Sequence, residues 1–179
     1  MNMVATSRLR HAKEAATANR PYAQKVSEVV HAVAKNAGMD FSHPLLEKHE
    51  DGKKLVFLIT SDKGLAGAYS SNACKAAEAL IEKENDTDFV IVGRKGVGHF
   101  KSRGHNVIKE FIGISEHPSS EDARDIALEL IRLYKTGEYR EIVMVYTKFV
   151  SAITCEPKSG ALLPFAPLKE EDNLHAEYI

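Results

Sequence analysis

Tryptophan is absent from this chain of 179 residues, cysteine occurs twice, and aromatic side chains make up 7% of it. Cys74 and Cys155 are too few and too far apart for a disulfide framework or a thiolate metal site. They read as idle or buried thiols of a reducing compartment. Long apolar runs are missing as well. Leu55 to Ile59 is far short of the ~18 residues that cross a bilayer, and the N-terminus lacks the apolar core of a signal peptide. The eight histidines form no H-E-x-x-H or H-x-H pattern and pair with no cysteine at metal spacing. No metal site is expected. A nucleophile with a base and a paired-carboxylate site are equally lacking, so no catalytic residue is assigned.

What is present begins with the first stretch. From Ala5, positions step by four and three through Leu9, Ala12, Ala16, Asn19, Ala23, Val26, Val30 and Val33. A seven-residue repeat kept this long is the mark of a coiled-coil seam, and small residues along it let two helix axes approach closely. Pro21 lies inside the run and removes one helical hydrogen bond, which predicts one bent helix ending near Gly38. The net charge of −1 hides an asymmetry. Arg8, Arg10, Lys13, Arg20, Lys25 and Lys35 outweigh Glu14 and Glu28, so residues 1–38 carry +4 and the remainder −5. A basic helix on an acidic body points to an acidic partner. Tyr22 alone among tyrosine, phenylalanine and tryptophan is interleaved with those cations, and no glycine-rich stretch is, which speaks against nucleic acid.

Residues 39–53 read as a polar linker, and an alternation of strands and helices fills 54–168. Leu55 to Thr60, Phe89 to Val92 and Glu141 to Tyr146 have the continuous apolar character of strands covered on both faces. Asn106 to Phe111 is a weaker strand, and Ser151 to Glu156 is predicted to return antiparallel. Pro157, Pro164 and Pro167 are expected to keep the segment beyond Glu156 irregular. Helices are expected near 73–83, 94–103 and 120–135, the last capped by Ser120 with Glu121 and Asp122 in its first turn. The predicted fold class is therefore α/β: a mostly parallel, Rossmann-like open sheet flanked by helices, preceded by the long N-terminal helix. None of the domain's helices is long enough to pair with the seam, so its partner is expected from another chain or from further sequence.

Two glycine patterns come directly after strands. Ser61 to Asn72 carries Gly64 and Gly67, which suits a structural turn, a protein contact or a phosphate-holding loop. Gly93 and Gly98 have Walker spacing, but His99 and Phe100 stand where Lys and Ser/Thr would grip phosphate and magnesium. Asp62 and Lys63, at the carboxyl end of the first strand, are the candidates if the domain binds a ligand there. Two readings outside any family remain open: a small nucleotide- or phosphate-binding enzyme with a dimerising helix, and a self-associating coiled-coil scaffold.

The block Thr60-Ser61-Asp62-Lys63-Gly64-Leu65-Ala66-Gly67-Ala68-Tyr69-Ser70-Ser71-Asn72 resembles the signature of the gamma subunits of F-type ATP synthases, the central rotor shaft. Met1 to Ala5, Arg20-Pro21-Tyr22, Ser42 to Leu46, Val92 to Gly96, Tyr146 to Ser151 and Leu162-Leu163-Pro164 are similar in the same order. The resemblance implies a non-catalytic central-stalk subunit that couples proton flow to ATP synthesis or hydrolysis on the beta subunits. It implies no cofactor. Its partners would be the alpha and beta subunits of the catalytic ring, the epsilon subunit and the membrane ring of c subunits. The location implied is peripheral, on the cytoplasmic face of a bacterial cell membrane. By the same resemblance Met1 lies near an acidic loop of beta, with Arg8, Arg10 and Lys13 along the shaft, Asp62 and Lys63 in the signature loop and Tyr178 near the membrane ring. All seven are partner-binding candidates. The family's shaft is two antiparallel helices. Against that pattern the chain reads as starting part way along the first, with residues 169–179 leading toward the second. Cys155 stands where glutamine is expected, and no inserted cysteine pair of the chloroplast kind is present.

Overall fold

The computed structural model describes residues 23–32, 51–62, 69–82, 86–114, 119–151 and 154–164. Helix α1 spans 23–32. After it come β1 (Lys53–Ile59), α2 (Tyr69–Glu78), β2 (Thr87–Val92), α3 (Arg94–Ser102), β3 (Asn106–Phe111), α4 (Ser120–Lys135), β4 (Tyr139–Ser151) and β5 (Thr154–Leu163). The five strands form one sheet in the order β3-β2-β1-β4-β5. β1 pairs in parallel with β2 and β4, and β2 with β3. Only β5 runs antiparallel, returning along β4. The winding reverses between β1 and β4.

Residues along β1 are 0% exposed from Leu55 to Ile59, because helices cover both faces. Leu55, Phe57 and Ile59 point into one apolar layer with Val90, Val92, Ile142 and Met144, covered by Ile126, Ala127, Leu130 and Tyr134 of α4. Val56 and Leu58 point into the other with Phe89, Ile91 and Val145, covered by Ala73, Cys74 and Ala77 of α2 and Val97 and Phe100 of α3. Each fully buried Leu, Ile or Phe is worth about 1.5–3 kcal/mol, so the strand contributes to both layers at once.

Several sequence expectations are corrected. α2 begins at Tyr69 rather than Ala73: the polar run Tyr69 to Asn72 is its first turn, not loop. The cap of α4 is Ser119, not Ser120, since its hydroxyl accepts from the Asp122 amide at 3.0 Å. β5 runs through Pro157, which lies opposite Thr147. An edge strand tolerates a residue that cannot donate to a neighbour.

The seam also has a different use where it is described. Ala23, Val26 and Val30 are 0% exposed and sit in the same apolar layer as Leu55, Phe57 and α4. The expectation that nothing within the chain covers the seam therefore fails for 23–32: its small residues let α1 lie close on the sheet's own layer. Met1, Arg8, Arg10, Lys13 and Tyr178, and the rest of the seam, lie outside the described residues.

Candidate functional site

At the carboxyl ends of β1, β2 and β3 the chain ties itself together. Three consecutive residues leaving β1 meet the three first amides of α3. Arg94 N donates to Asp62 Oδ1 at 3.1 Å, Lys95 N to the Ser61 carbonyl at 3.1 Å, and Gly96 N to Thr60 Oγ1 at 2.9 Å. The next amide, Val97 N, makes the helix's first internal bond to Gly93 O. A helix N-terminus presents unpaired donors and a partial positive charge, which an anion or a set of oxygens must answer. Here the protein answers all three itself.

Thr60 is the centre of that arrangement. Its hydroxyl donates to the Val92 carbonyl at 2.7 Å while accepting from Gly96 N. Such closeness depends on two glycines. Gly93 has φ of +96°, and a Cβ there would lie 2.3 Å from the Thr60 carbonyl oxygen; one on Gly96 would lie 2.8 Å from Thr60 Oγ1. Gly98, by contrast, faces open space. The Walker-like spacing Gly93 to Gly98 is thus coincidental, and the working pair is Gly93-x-x-Gly96. The spacing G-x-x-G after a strand is the signal in the sequence, but its partner, Thr60, lies more than thirty residues back and is named only by the fold.

Asp62 does more than cap α3. Its second oxygen, Oδ2, accepts from Gly113 N at 3.0 Å, just beyond β3, while Gly93 N donates to Phe111 O at 2.9 Å. One carboxylate thus joins the ends of β1, β2 and β3. Ser61 turns the other way: its hydroxyl lies 2.9 Å from Ser70 Oγ, and its amide donates to the same Ser70 oxygen at 3.2 Å. That pair fixes the start of α2 to the end of β1. Of the two loop candidates only Asp62 is described; Lys63 lies outside the described residues. On α3 the neighbouring side chains Arg94 and Lys95 are exposed.

Two further polar groups hold the frame. Glu78 of α2 bonds His99 Nε2 and lies 3.7 Å from Arg103 Nε, joining α2 to α3. At the opposite end of the sheet, buried Lys54 reaches the Leu80 carbonyl at 2.9 Å and Glu82 at 3.2 Å, and Arg140 binds Asp86 and Glu82 at 3.0 and 3.1 Å. Buried charges persist only when paired in this way. Cys74, 2% exposed on the sheet-facing side of α2, has its thiol pushed up to about 11, first by burial and then by the Glu78 charge. A thiol so held is inert. Among the described residues no group of three His, Cys, Asp or Glu is placed to hold a metal ion.

Comparison with known proteins adds an independent line. A family model described as ATP synthase matches residues 1–179. The ATP synthase gamma chain of Halothermothrix orenii is 37% identical over 183 residues, covering all of this chain and 64% of the relative. That of Desulfitobacterium hafniense is 39% identical over 180 residues, covering all of this chain and 63% of the relative. That of Acidothermus cellulolyticus is 41% identical over 173 residues, 92% of this chain and 57% of the relative. The chain thus spans 57–64% of the length of these relatives. Among solved structures, a chain of the central stalk and c-ring of the Tetrahymena thermophila mitochondrial ATP synthase superposes with a TM-score of 0.56 at 22% identity. The match covers 83% of this chain and 72% of that one. A chain of the Euglena gracilis mitochondrial ATP synthase rotor gives 0.52 at 17% identity, covering 88% and 63%. At these identities the likeness is one of fold.

Proposed function

Because the chain belongs to the ATP synthase gamma-chain family, we propose that it serves as the central-stalk rotor of an F-type ATP synthase, without catalytic chemistry of its own. The observation that carries this reading is the match over all 179 residues to relatives bearing that one name. The geometry agrees with a part that transmits force rather than binds nucleotide. The three α3 amides that could cradle a phosphate are held by Thr60, Ser61 and Asp62, and strands, helices and loop are cross-tied at that end. The phosphate-binding enzyme has no comparable support.

In this role the α/β domain forms the foot of the stalk, next to an epsilon-type subunit and a ring of c subunits, and the N-terminal helix rises into a ring of alpha and beta subunits. Met1, Arg8, Arg10 and Lys13 lie along that helix, and a basic shaft is drawn to acidic loops without needing a shaped pocket. Lys63 and Tyr178 contact partners at the foot. Asp62 contributes by tying the start of the signature block to the ends of β2 and β3, where its two oxygens accept the Arg94 and Gly113 amides. The protein is peripheral to the membrane through the complex; no described helix is long and apolar enough to cross one. A bacterial cytoplasmic face, proton coupling and the absence of a cofactor complete the proposal.

Capture from membranes of the source cell with an antibody against residues 54–179 tests the role. A large complex that hydrolyses ATP is the expected result; recovery of the chain free of ATPase partners overturns it. Reversing Arg8, Arg10 and Lys13 together in the complex is expected to weaken coupling of proton flow to synthesis in reconstituted vesicles. Unchanged coupling removes those three residues from the proposed contact.

A further inference from the structure

Open α/β sheets take anionic ligands at the carboxyl ends of their strands, commonly on the free amides of a helix that starts there. This protein has the strands and the helix, yet a side chain of its own stands where the anion would. Asp62 puts one oxygen on Arg94 N at 3.1 Å and the other on Gly113 N at 3.0 Å. The two amides come from different strand ends. A carboxylate bridging them neutralises the N-terminal charge of α3, which has no acidic residue in its first turn. Thr60 and Ser61 take the two following amides, so Asp62 provides the only charged acceptor among the three.

We infer that Asp62 is a built-in anion, a latch that closes the strand-end crevice to phosphate and holds the ends of β1, β2 and β3 in register. Two consequences separate this from an ordinary surface hydrogen bond. Removing the carboxylate frees an amide on each side of a gap that a tetrahedral oxyanion can bridge, so an external anion replaces the lost charge. Removing the charge alone, while keeping the shape, leaves one amide on the remaining carbonyl oxygen, sets the other against an NH2 donor, and leaves no room for that anion.

The test uses the full chain with inorganic phosphate as the probe, against sodium chloride of the same ionic strength. Asp62→Gly is expected to melt below the native protein in chloride and to recover about 2–4 °C in phosphate, a shift of the size that ~1 kcal/mol gives in a chain this long. The amide signals of Arg94 and Gly113 move together during the titration. The native protein shifts only by the general stabilisation that phosphate, an excluded salt, gives any folded protein, and the recovery of Asp62→Gly is counted above that baseline. Asp62→Asn is expected to speed hydrogen exchange about tenfold at whichever of those two amides faces the new NH2 group, with no recovery in phosphate. The inference is overturned if phosphate stabilises the native protein and Asp62→Gly alike, or if neither amide responds in Asp62→Gly. Should Asp62→Gly fail to fold, unchanged exchange at Arg94 and Gly113 in Asp62→Asn overturns it on its own.

Discussion

The hydroxyl of Tyr139 donates to Asp88 Oδ2 at 2.8 Å, across the join between β4 and β2 with β1 between them. The same carboxylate accepts from Asn106 Nδ2 on β3 at 3.0 Å and lies 3.6 Å from Lys53 Nζ. A single buried acid thus links four strands at the end of the sheet away from Asp62. Burial first, and then the hydrogen bond and charge of Asp88, raise the Tyr139 hydroxyl well above its ordinary value.

That pairing predicts an alkaline loss of stability with a definite sign. Above pH ~10 the unfolded chain releases the phenol proton while the folded protein keeps it. The unfolded state then binds fewer protons, so stability falls as pH rises, and the contribution is intact below that pH. Tyr139→Phe is expected to cost about 1–3 kcal/mol near neutrality, because Asp88 loses a buried donor. Its stability is also expected to decline less steeply between about pH 10 and 11. Urea titrations of both proteins across that range measure it.

The legible part of the fold is the part that burial dictates. Leu55 to Ile59 and Phe89 to Val92 announce strands because each residue must be apolar when both faces are covered, and Asn106 to Phe111 and Ser120 to Lys135 have the same bounds in sequence pattern and in structure. Tyr69 to Asn72 reads as loop because hydroxyls and an amide mimic turn residues, whereas in the structure the contact of Ser70 with Ser61, nine residues back, ties them to the end of β1 as a first turn. Pro157 looks like a strand breaker because a sequence does not say which strand is at an edge. Asp62 stands out in the sequence as a strand-end carboxylate, but its partners, Arg94 and Gly113, are 32 and 51 residues away. No local pattern carries that information.

The two working glycines predict opposite signs from their neighbour. Gly93→Ala forces a Cβ to within 2.3 Å of the Thr60 carbonyl at a positive φ, and Gly96→Ala meets Thr60 Oγ1 at 2.8 Å. Both push backbone or a pinned hydroxyl, so each is expected to destabilise by more than ~2 kcal/mol. Gly98 lies inside α3 with open space around it, and Gly98→Ala is expected to stabilise by about 0.8–1 kcal/mol through helix propensity. Thermal melts of the three variants decide it; a destabilising Gly98→Ala contradicts the open space seen there.

Val26 and Val30 separate core from seam. Were they only an exposed coiled-coil edge, Asp at either position would dissolve self-association and leave the domain intact. Both are fully buried with Phe57 and Leu130. Val26→Asp is therefore expected to bury an unpaired carboxylate and unfold the domain, or lower its stability by several kcal/mol. Sedimentation and circular dichroism on the same sample distinguish the outcomes: a folded monomer counts against the packing, a loss of near-native melting supports it.

Cys74 provides the last prediction. Its thiol lies on the sheet-facing side of α2, raised to about 11 from an ordinary value near 9.0 by burial and then by Glu78. The thiolate is the reactive form, so a disulfide reagent at about pH 8 meets almost none of it in the folded protein. In a Cys155→Ser background, labelling is expected to track the rate of unfolding and to accelerate sharply once urea opens the domain. The sign of the linkage matches that of Tyr139: the unfolded thiol ionises first as pH passes about 9, so stability declines above that pH and is intact below it. Cys74→Ala removes this decline while leaving the Tyr139 contribution at higher pH, and comparing the two proteins at about pH 8 and pH 10 isolates it. Rapid labelling of the folded protein at about pH 8 would place Cys74 at the surface and contradict its burial between α2 and the sheet.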